Sequence, residues 1–333
     1  MNQLELIHKS INNETFTETE AYSIMEYIMK GEVSEILLSA LLTSMKMRGE
    51  KKEELLGFVK AMRQAGLKPE TTFDFSFLDT CGTGGDGKGT VNISTLTALN
   101  LASLEIKVAK HGNRSVSSVS GSSDILSEFG YNIQMSMENS IKQLKDKHFC
   151  FLFAPMYHPS MKYAIEVRKQ LATRTIFNML GPLCNPFSPD YQIMGVYSKD
   201  LFENISYVLS NLVKVAIVCH SRDGLDEFSI FSDTDYMLIK NKECEEKVFK
   251  IDTLSLKNLN PQELYCKTKE DAKRLFRGVL NKENIAASHS VALNTGVALF
   301  AYGNFQSIEA GYESALKNIL TGKLGKYFDS LLA

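Results

Sequence analysis

A cluster of glycines between an apolar run and a helical segment is the part of this sequence best suited to chemistry. Residues 79–87 read DTCGTGGDG, with four glycines within six positions. The apolar run 73–78 precedes them, and a helical pattern opens at Asn92. A strand, a glycine turn and a helix N-terminus in this order direct backbone N–H groups towards an anion. The sequence therefore predicts a phosphate-binding loop.

Two common phosphate-binding motifs fit this loop only in part. Residues 82–87 satisfy G-x-G-x-x-G, but the acid Glu105 precedes the second predicted strand. A dinucleotide fold needs that acid at the end of the strand, on a ribose hydroxyl. Residues 82–88 also fit the start of a P-loop, yet Gly89 stands where the magnesium-binding hydroxyl belongs. Both motifs are therefore disfavoured.

The residues that follow three other predicted strands carry complementary chemistry. Residues 110–124, KHGNRSVSSVSGSSD, supply cations, hydroxyls and glycine amides to an anion. His158, within APMYHP (154–159), suits either contact with an organic substrate or packing inside a loop. Residues 223–227, DGLDE, would place acids opposite a phosphate loop, where Mg²⁺ is the natural bridge. The alternative for this string is a solvated acidic turn.

The order of elements predicts an α/β fold: a small N-terminal helical domain and a larger α/β domain with a mainly parallel central sheet flanked by helices. Residues 1–70 have helical periodicity, with a capping box at Thr17 and Glu20. Strands and helices then alternate, and such sheets bind ligands beyond the carboxyl ends of their strands. The predicted strands are 73–78, 106–109, 149–154, 191–196 and 213–219.

The segment 163–180 interrupts this alternation. It is predicted as helix that returns to the helical domain, which would place Gly181 and Pro182 near a hinge. The predicted domains are thus a helical domain of residues 1–70, completed by 163–183, and an α/β domain formed by 71–162 and 184–333.

Composition limits the classes of function. The 333-residue chain has a net charge of −2, which argues against general nucleic-acid binding. Six cysteines without a C-x-x-C pair predict reduced thiols rather than a disulfide framework or a zinc site. The N-terminus does not resemble a signal peptide, and no run approaches the roughly 18 apolar residues of a membrane span. We expect a cytoplasmic protein that acts on a small ligand.

Taken together, these segments resemble the anthranilate phosphoribosyltransferases of tryptophan biosynthesis, whose fold is shared with the pyrimidine nucleoside phosphorylases. The matching strings are DTCGTGGDG (79–87), NIST (92–95), KHGNRSVSS (110–118), SGSSD (120–124), APMYHPSMK (154–162), RTIFNMLGPLCNP (174–186) and DGLDE (223–227). The resemblance implies transfer of the phosphoribosyl group from 5-phosphoribosyl 1-pyrophosphate to the amine of anthranilate, with release of pyrophosphate. It also implies Mg²⁺ as cofactor and a homodimer formed through the helical domain.

The resemblance also implies site residues, position by position. The phosphoribosyl pyrophosphate site would be lined by Gly82, Gly85, Asp86, Thr90, Asn92, Ser94, Thr95, Lys110, His111, Gly112, Asn113, Arg114, Ser115, Val116, Ser117, Ser118 and Ser122. The anthranilate path would be lined by Gly82, Asn113, His158, Arg168, Gly181 and Pro182. Magnesium would be held by Ser94, Asp226 and Glu227. Val119 and Ala172 depart from the family pattern, which often has Lys or Arg at the first position and Gly at the second.

The implied reaction needs no obligatory general base, because the aromatic amine of anthranilate is neutral at pH 7. We expect catalysis by positioning, through Asn113, His158 and Arg168, and by stabilisation of the charge on the leaving pyrophosphate. The Arg168 fork is the predicted partner of the anthranilate carboxylate. A nucleoside phosphorylase of the same fold and a non-enzymatic paralogue that binds nucleic acid are the alternatives.

Overall fold

The computed structural model describes residues 1–114 and 119–333. The chain begins with four helices: α1 (Gln3–Ile11), α2 (Glu18–Lys30), α3 (Glu35–Arg48) and α4 (Lys52–Ala65). The strands are β1 (Leu78–Asp79), β2 (Val108–Gly112), β3 (Phe149–Phe153), β4 (Tyr191–Gly195), β5 (Val215–Ser221), β6 (Thr234–Lys240) and β7 (Glu243–Phe249). The other helices are α5 (Ile93–Ser103), α6 (Ser122–Glu128), α7 (Met137–Lys147), α8 (Ala154–Tyr157), α9 (Lys162–Leu171), α10 (Phe177–Leu183), α11 (Phe202–Ser210), α12 (Lys269–Leu280), α13 (Ile285–Tyr302), α14 (Ile308–Leu320) and α15 (Lys323–Leu332).

Local signals account for the bundle formed by α1–α4. At the start of α2, the Glu20 amide donates to Thr17 Oγ1 and the Thr17 amide donates to Glu20 Oε2, as the capping box predicts. The helix ends at Gly31, whose φ of +75° is left-handed. Between α3 and α4, the fully buried Glu54 carboxylate accepts hydrogen bonds from Arg48 and from the Phe16 amide. A buried charge paired in this way ties the two helices together.

The seven-stranded sheet has the order β3-β2-β1-β4-β5-β6-β7. Strands β1 to β5 are parallel, and β6 and β7 are antiparallel to their neighbours. Leu78 in β1 lies in register with Val108 on one side and Tyr191 on the other. The strand order therefore reverses at β1, and this switch point is where open α/β sheets bind their ligands. The predicted fold class is confirmed.

The first strand is shorter than predicted. Instead of extending over 73–78, it comprises Leu78 and Asp79 alone. The phenylalanines before it pack on one another, with ring centroids of Phe73 and Phe77 4.9 Å apart, and Phe73 also packs on Phe187. Apolar alternation looks the same in a strand and in an aromatic cluster, so the sequence could not separate the two.

The predicted helix 163–180 is in fact two helices. Helix α9 ends at Ala172, which takes a left-handed conformation with φ +46°, and α10 begins at Phe177. Gly181 and Pro182 lie inside α10 rather than after the predicted helix, and their position near a hinge stays a prediction. Helix α9 packs against α2 and α3, and α10 packs against α4. This segment therefore does return to the helical bundle.

Helix α13 is long and apolar enough, by length and composition, to cross a membrane. Most of it is buried inside the protein, where it packs against α14 and α5. A core helix meets the same criteria, so the composition of α13 is weak evidence for a span. At its centre, Gly296 lets the backbone of α14 approach closely: a Cβ there would lie 2.8 Å from the Ile308 carbonyl oxygen.

Candidate active site

The glycine loop leaves β1 at the switch point and rests against the end of β4. The Thr83 amide donates to the Gly195 carbonyl at 2.9 Å. A Cβ at Gly82 would lie only 2.9 Å from that same carbonyl oxygen, so the close approach requires glycine. Gly85 has a φ of +81°, and Gly87 a φ of +74°. These conformations suit glycine and leave loop amides available to an anion.

The N-terminus of α5 faces this loop. Asn92, the N-cap residue, donates from Nδ2 to the Ser120 carbonyl at 2.9 Å. Its Oδ1 and the Thr95 hydroxyl are buried and have no hydrogen-bond partner within residues 1–114 and 119–333. Buried polar atoms normally find a partner, so these two indicate room for a ligand or its waters. The first turn of an eleven-residue helix also favours an anion.

Lys110, in the middle of β2, is a buried cation beside the start of the glycine loop. Its Nζ donates to the Thr80 carbonyl at 3.0 Å and to the Ser94 hydroxyl at 3.3 Å. Burial raises the pKa of the neighbouring Asp79 to about 6, against the opposing effect of Lys110. Asp79 Oδ2 accepts from Asn185 at 2.8 Å, so the carboxyl is fixed between β1 and the segment after α10.

Asp226 and Glu227 approach the loop from the other side. A Cβ at Gly195 would overlap the Asp226 carbonyl, so this glycine allows the acidic turn to lie directly on β4. Burial, with the Asp86 carboxyl beside it, raises the pKa of Asp226 to about 7. Burial and then the charge of Asp226 raise the pKa of Glu227 well above its usual range, while Lys110 opposes the shift. Crowded carboxylates of this kind are stabilised by a cation.

The donor set fits magnesium. Asp86 Oδ2 is buried and lacks a hydrogen-bond partner among the described residues, and Ser94 adds a hydroxyl at the same place. In the described part of the chain, no group of three or more His, Cys, Asp or Glu side chains could hold a metal by itself. Mg²⁺ commonly binds one or two carboxylates and completes its shell with waters and substrate phosphates, so such a group is not required.

The segment after β2 forms the next wall. A Cβ at Gly112 would overlap the Ser122 hydroxyl, which donates to the Asn113 carbonyl at 3.4 Å. Arg114 lies 3.6 Å from Asp124, and its side chain is 64% exposed. An ion pair this long and this exposed to solvent is weak, so the guanidinium is available to bind an anion. Residues 115–118, which contribute Ser115, Val116, Ser117 and Ser118 to the predicted site, lie outside the described residues.

The other predicted residues of this site lie nearby on different elements. Thr90 pairs with Tyr265 in an isolated antiparallel bridge, which attaches the segment after β7 to the glycine loop. Val119, which departs from the pattern that the resemblance implies, is partly buried and packs against the hydrophobic core.

The residues predicted for anthranilate lie towards the helical bundle. His158 is buried, and its Nε2 donates to the Cys184 carbonyl at 2.8 Å. Its ring packs edge-on against His111, with centroids 5.4 Å apart. Burial lowers the pKa of both histidines, so the pair is neutral at pH 7. Both His111 ring nitrogens are buried and unpartnered among the residues that the structure describes.

Arg168 and Gly181 lie on α9 and α10, the two helices that pack against the bundle. The half-buried Arg168 guanidinium lies over the Phe177 ring at 5.3 Å, and burial lowers its pKa. No carboxylate pairs with Arg168 within the two described ranges. A Cβ at Gly181 would meet open space, whereas Pro182 is buried and its carbonyl accepts from Gln192 at 2.8 Å.

Sequence reasoning missed two arginines and the role of Asn185. Arg63 on α4 donates to the Leu183 carbonyl at 2.8 Å, and its Nη2 is buried without a partner in the described residues. Arg174 donates to the Gly85 carbonyl. Arg174 and Asn185 belong to the string 174–186 that carries the family resemblance, and this string could have indicated that both are site residues. Arg63 lies in a helix that was predicted to be purely structural.

A second cavity carries none of these residues. It is an open groove of about 570 Å³ lined by Lys52, Lys199, Tyr207, Met237 and their neighbours. The predicted chemistry is instead concentrated in a narrow cleft lined by Thr80, Gly82, Ser94, Gly195 and Glu227. Gly82, Ser94 and Glu227, predicted from three separate segments, thus line one cleft at the switch point.

An anion site with a magnesium-compatible donor set at the switch point of an α/β sheet, with a helical bundle beside it, suits a transferase that acts on a phosphorylated substrate. Family models give the class. Residues 74–324 match the a/b domain of a glycosyl transferase family, and residues 4–66 match the helical bundle domain of that family. The chain therefore belongs to this glycosyl transferase family.

Its relatives carry a narrower name. The chain is 42% identical to the anthranilate phosphoribosyltransferase of Shouchella clausii, over 98% of this chain and 96% of the relative. It is 40% identical to that of Geobacillus stearothermophilus, over 95% and 93% of the two chains. The crystal structure of the Thermus thermophilus enzyme is similar, with a TM-score of 0.90 and 32% identity over 98% of each chain. The resemblance that the motifs indicated is confirmed.

The fold also extends to a yeast protein. The anthranilate phosphoribosyltransferase of Saccharomyces cerevisiae, in complex with PRPP and Mg, has a TM-score of 0.88 over 99% of this chain and 96% of that one. At 23% identity this likeness concerns the fold alone.

Proposed function

We propose that this protein transfers the phosphoribosyl group of 5-phosphoribosyl 1-pyrophosphate to the amine of anthranilate, a step of L-tryptophan biosynthesis. The relatives' shared name and the motifs support the reaction. The observation that carries it is that the glycine loop lies against Asp226 and Glu227, with buried acceptor atoms nearby that have no hydrogen-bond partner in the described residues. The arrangement suits a pyrophosphate and the cation bound to it. A site for ribose alone would not need this pairing of an anion-binding loop with acidic side chains.

The reaction forms one bond and breaks one. The amine nitrogen bonds to ribose C1, the bond from C1 to pyrophosphate breaks, and its electron pair leaves with pyrophosphate. The attacking nitrogen loses its proton to solvent, so no side chain is needed as an obligatory base. The loop amides after β1 and the N-terminus of α5 stabilise the negative charge of the leaving group.

Magnesium belongs to this proposal as the cofactor. Ser94, Asp226 and Glu227 would hold it, and it would supply positive charge to the leaving pyrophosphate when bound. Asp86, on the loop, contributes a further carboxylate beside Asp226. The remaining predicted residues of the phosphoribosyl pyrophosphate site, from Thr90 to Ser122, keep the roles that the resemblance implies.

Anthranilate would approach between the helical bundle and β2. Arg168 would bind its carboxylate, and Asn113 and His158 would position the ring and amine. The neutral histidine pair supports this arrangement, because a neutral site beside the amine neither protonates it nor repels it. Gly181 would leave space for the ring, with Pro182 behind it.

The proposal includes a cytoplasmic homodimer. Apolar side chains are exposed on three adjacent helices: Leu4 and Ile11 on α1, Ile36 on α3, and Tyr163 and Ile165 on α9. Covering them would be favourable. The domain division, 1–70 with 163–183 against 71–162 with 184–333, would then put the dimer contacts in the helical domain. The six cysteines, all in described residues, are free thiols, as reducing conditions require.

One assay tests the function. Purified protein is mixed with anthranilate, phosphoribosyl pyrophosphate and Mg²⁺, and the fluorescence of anthranilate is followed. We expect fluorescence to fall and pyrophosphate to appear in equal amounts. Persistent fluorescence at saturating substrates would contradict the proposal, and phosphorolysis of thymidine or uridine would instead support the phosphorylase alternative.

A further inference from the structure

A chain of contacts joins the helical bundle to the glycine loop through Arg174, in the segment between α9 and α10. Arg174 Nη2 donates to the Gly85 carbonyl. The Arg174 backbone carbonyl accepts from Lys46 Nζ at 2.9 Å, and Lys46 also donates to Thr173 Oγ1 at 2.8 Å. Lys46 lies near the end of α3, in the bundle. We refer to Lys46, Arg174 and Gly85 as the Arg174 bridge.

The Arg174 guanidinium is held in one orientation. It stacks on the Tyr197 ring, with Cζ 4.0 Å from the ring centroid. The Tyr197 amide donates to Thr83 Oγ1 at 3.2 Å, so this ring is itself attached to the glycine loop. A stacked and hydrogen-bonded guanidinium has its plane fixed from two sides. The contact with Gly85 is therefore directional.

Gly85 is suited to receive this contact. Its φ of +81° presents the carbonyl in a conformation that other residues avoid. A Cβ at this position would lie 3.2 Å from Arg174 Nη2 and would crowd the guanidinium. The loop conformation and the position of Arg174 thus depend on each other.

We propose that Arg174 is a positioning residue that makes the conformation of the pyrophosphate-binding loop depend on the position of the helical bundle. The proposal rests on the proposed function. When the bundle shifts, Lys46 moves with it. Its hydrogen bond to the Arg174 carbonyl then moves the Arg174 backbone, and the hydrogen bond from the Arg174 side chain moves the Gly85 carbonyl. Because Arg174 acts on the loop backbone, its loss changes the binding of phosphoribosyl pyrophosphate and leaves anthranilate binding largely unchanged.

Steady-state kinetics of three variants test the bridge. For Arg174→Gln we expect the KM of phosphoribosyl pyrophosphate to rise about tenfold and that of anthranilate by less than about twofold, as for the loss of one charged hydrogen bond. Arg174→Lys keeps the charge and restores part of the affinity. Lys46→Met, which alters an exposed side chain in the bundle, raises the same KM by about threefold, the effect of a weaker exposed contact. Equal rises in both KM values for Arg174→Gln would overturn the proposal.

The double variant Lys46→Met with Arg174→Gln shows whether the two residues act through one bridge or independently. If Lys46 acts through Arg174, the double variant has the same KM as Arg174→Gln alone, since coupled residues are non-additive. Multiplied effects would overturn the proposal. Lys60→Met is the matched control, because Lys60 is an exposed bundle lysine paired with Glu18 and should leave both KM values unchanged.

Hydrogen exchange gives a readout independent of turnover. In Lys46→Met we expect faster exchange of the amides in residues 82–90, although Lys46 contacts none of them, and unchanged exchange in Lys60→Met. Unchanged loop exchange in Lys46→Met would overturn the proposal, and this holds even if Arg174→Gln fails to fold. An inactive wild type would contradict the proposed function instead, so the two failures are distinguishable.

Discussion

Arg168 is a half-buried cation with a ring beneath it and, in the described residues, no carboxylate partner. Burying part of a guanidinium is costly unless its donors are used, and burial already lowers the pKa of this group. An incoming carboxylate would satisfy two donors at once, which a bidentate fork does best. The side chain is therefore expected to contribute more in the substrate complex than in the free protein.

Arg168→Ala should raise the KM of anthranilate by roughly ten- to a hundredfold, the value of one charged hydrogen-bonded contact, and change that of phosphoribosyl pyrophosphate little. Arg168→Lys is the matched control, and it should recover part of the affinity because it retains the charge but loses the fork. Steady-state kinetics with each substrate varied in turn measures both effects. Parallel increases in the two KM values would exclude the proposed role.

As the proposed magnesium ligands, Asp226 and Glu227 should make the binding of the metal depend on pH. Metal binding requires the carboxylates to be ionised, whereas burial raises the pKa of Asp226 to about 7, so this carboxyl carries a proton at lower pH. Mg²⁺ must displace that proton below pH 7, so its affinity should weaken by about tenfold between pH 8 and pH 6. Competition of Mg²⁺ with Mn²⁺, followed by the EPR signal of free Mn²⁺, measures this change.

The double variant Asp226→Asn with Glu227→Gln is the control for this titration. It should lose both the metal affinity and its dependence on pH, and its turnover should fall. Affinity that is flat between pH 6 and pH 8 in the wild type would show that the two carboxyls are not the ligands.

At the scale of elements, the break between α9 and α10 is costly in this chain. Ala172 ends α9 in a left-handed conformation with φ +46°, at a position where the family often has glycine. The Cβ clash of a non-glycine residue there costs about 1–2 kcal/mol, part of which is offset by the smaller entropy of the unfolded alanine chain. Alanine in place of glycine at position 172 thus produces local backbone strain.

Ala172→Gly should therefore stabilise the protein by roughly 0.5–1 kcal/mol, the clash energy less the extra entropy of unfolded glycine. Ala164→Gly, at a buried position in the first turn of α9, is the control, and it should destabilise by about 1 kcal/mol because helical glycine is unfavourable. Denaturant unfolding of the three proteins measures both changes. Destabilisation by Ala172→Gly would contradict the strain.

At the scale of the whole molecule, the exposed apolar side chains of α1, α3 and α9 predict the assembly. Ile36 is 82% exposed and Ile165 is 55% exposed, in helices that pack beside each other. Ile36→Lys with Ile165→Lys should convert a dimer into a monomer, because a buried unpaired charge opposes association. Light scattering after size-exclusion chromatography measures the mass.

Ile285→Lys is the control for this experiment, since Ile285 is also exposed but lies on α13, in the other domain. It should leave the mass unchanged. A monomeric wild type, or a double variant that remains dimeric, would exclude the proposed interface.

Much of this molecule was determined by local sequence. The helices of the bundle, the capping box at Thr17 and the alternation that produces the parallel sheet follow from periodicity and from side-chain hydrogen bonds over a few residues. The predicted anion-binding character of 79–87 and 110–114 rests on the same kind of signal, because glycine, lysine and arginine that directly follow a strand favour an anion site. Long motifs in a fixed order then indicated the family.

Only the tertiary structure decided how distant segments meet. The aromatic packing of Phe73 with Phe187 shortens β1, and the left-handed Ala172 divides the predicted helix, which places Gly181 inside α10. The contact of Gly195 with Asp226 and that of Arg174 with Gly85 join residues about 30 and 90 positions apart. Such contacts depend on the packing of whole elements, and the packing energy is a sum over many side chains. They therefore have no local sequence pattern from which they could be predicted. The sequence by itself determined which groups could bind a phosphate, and the fold decided which of them share one site.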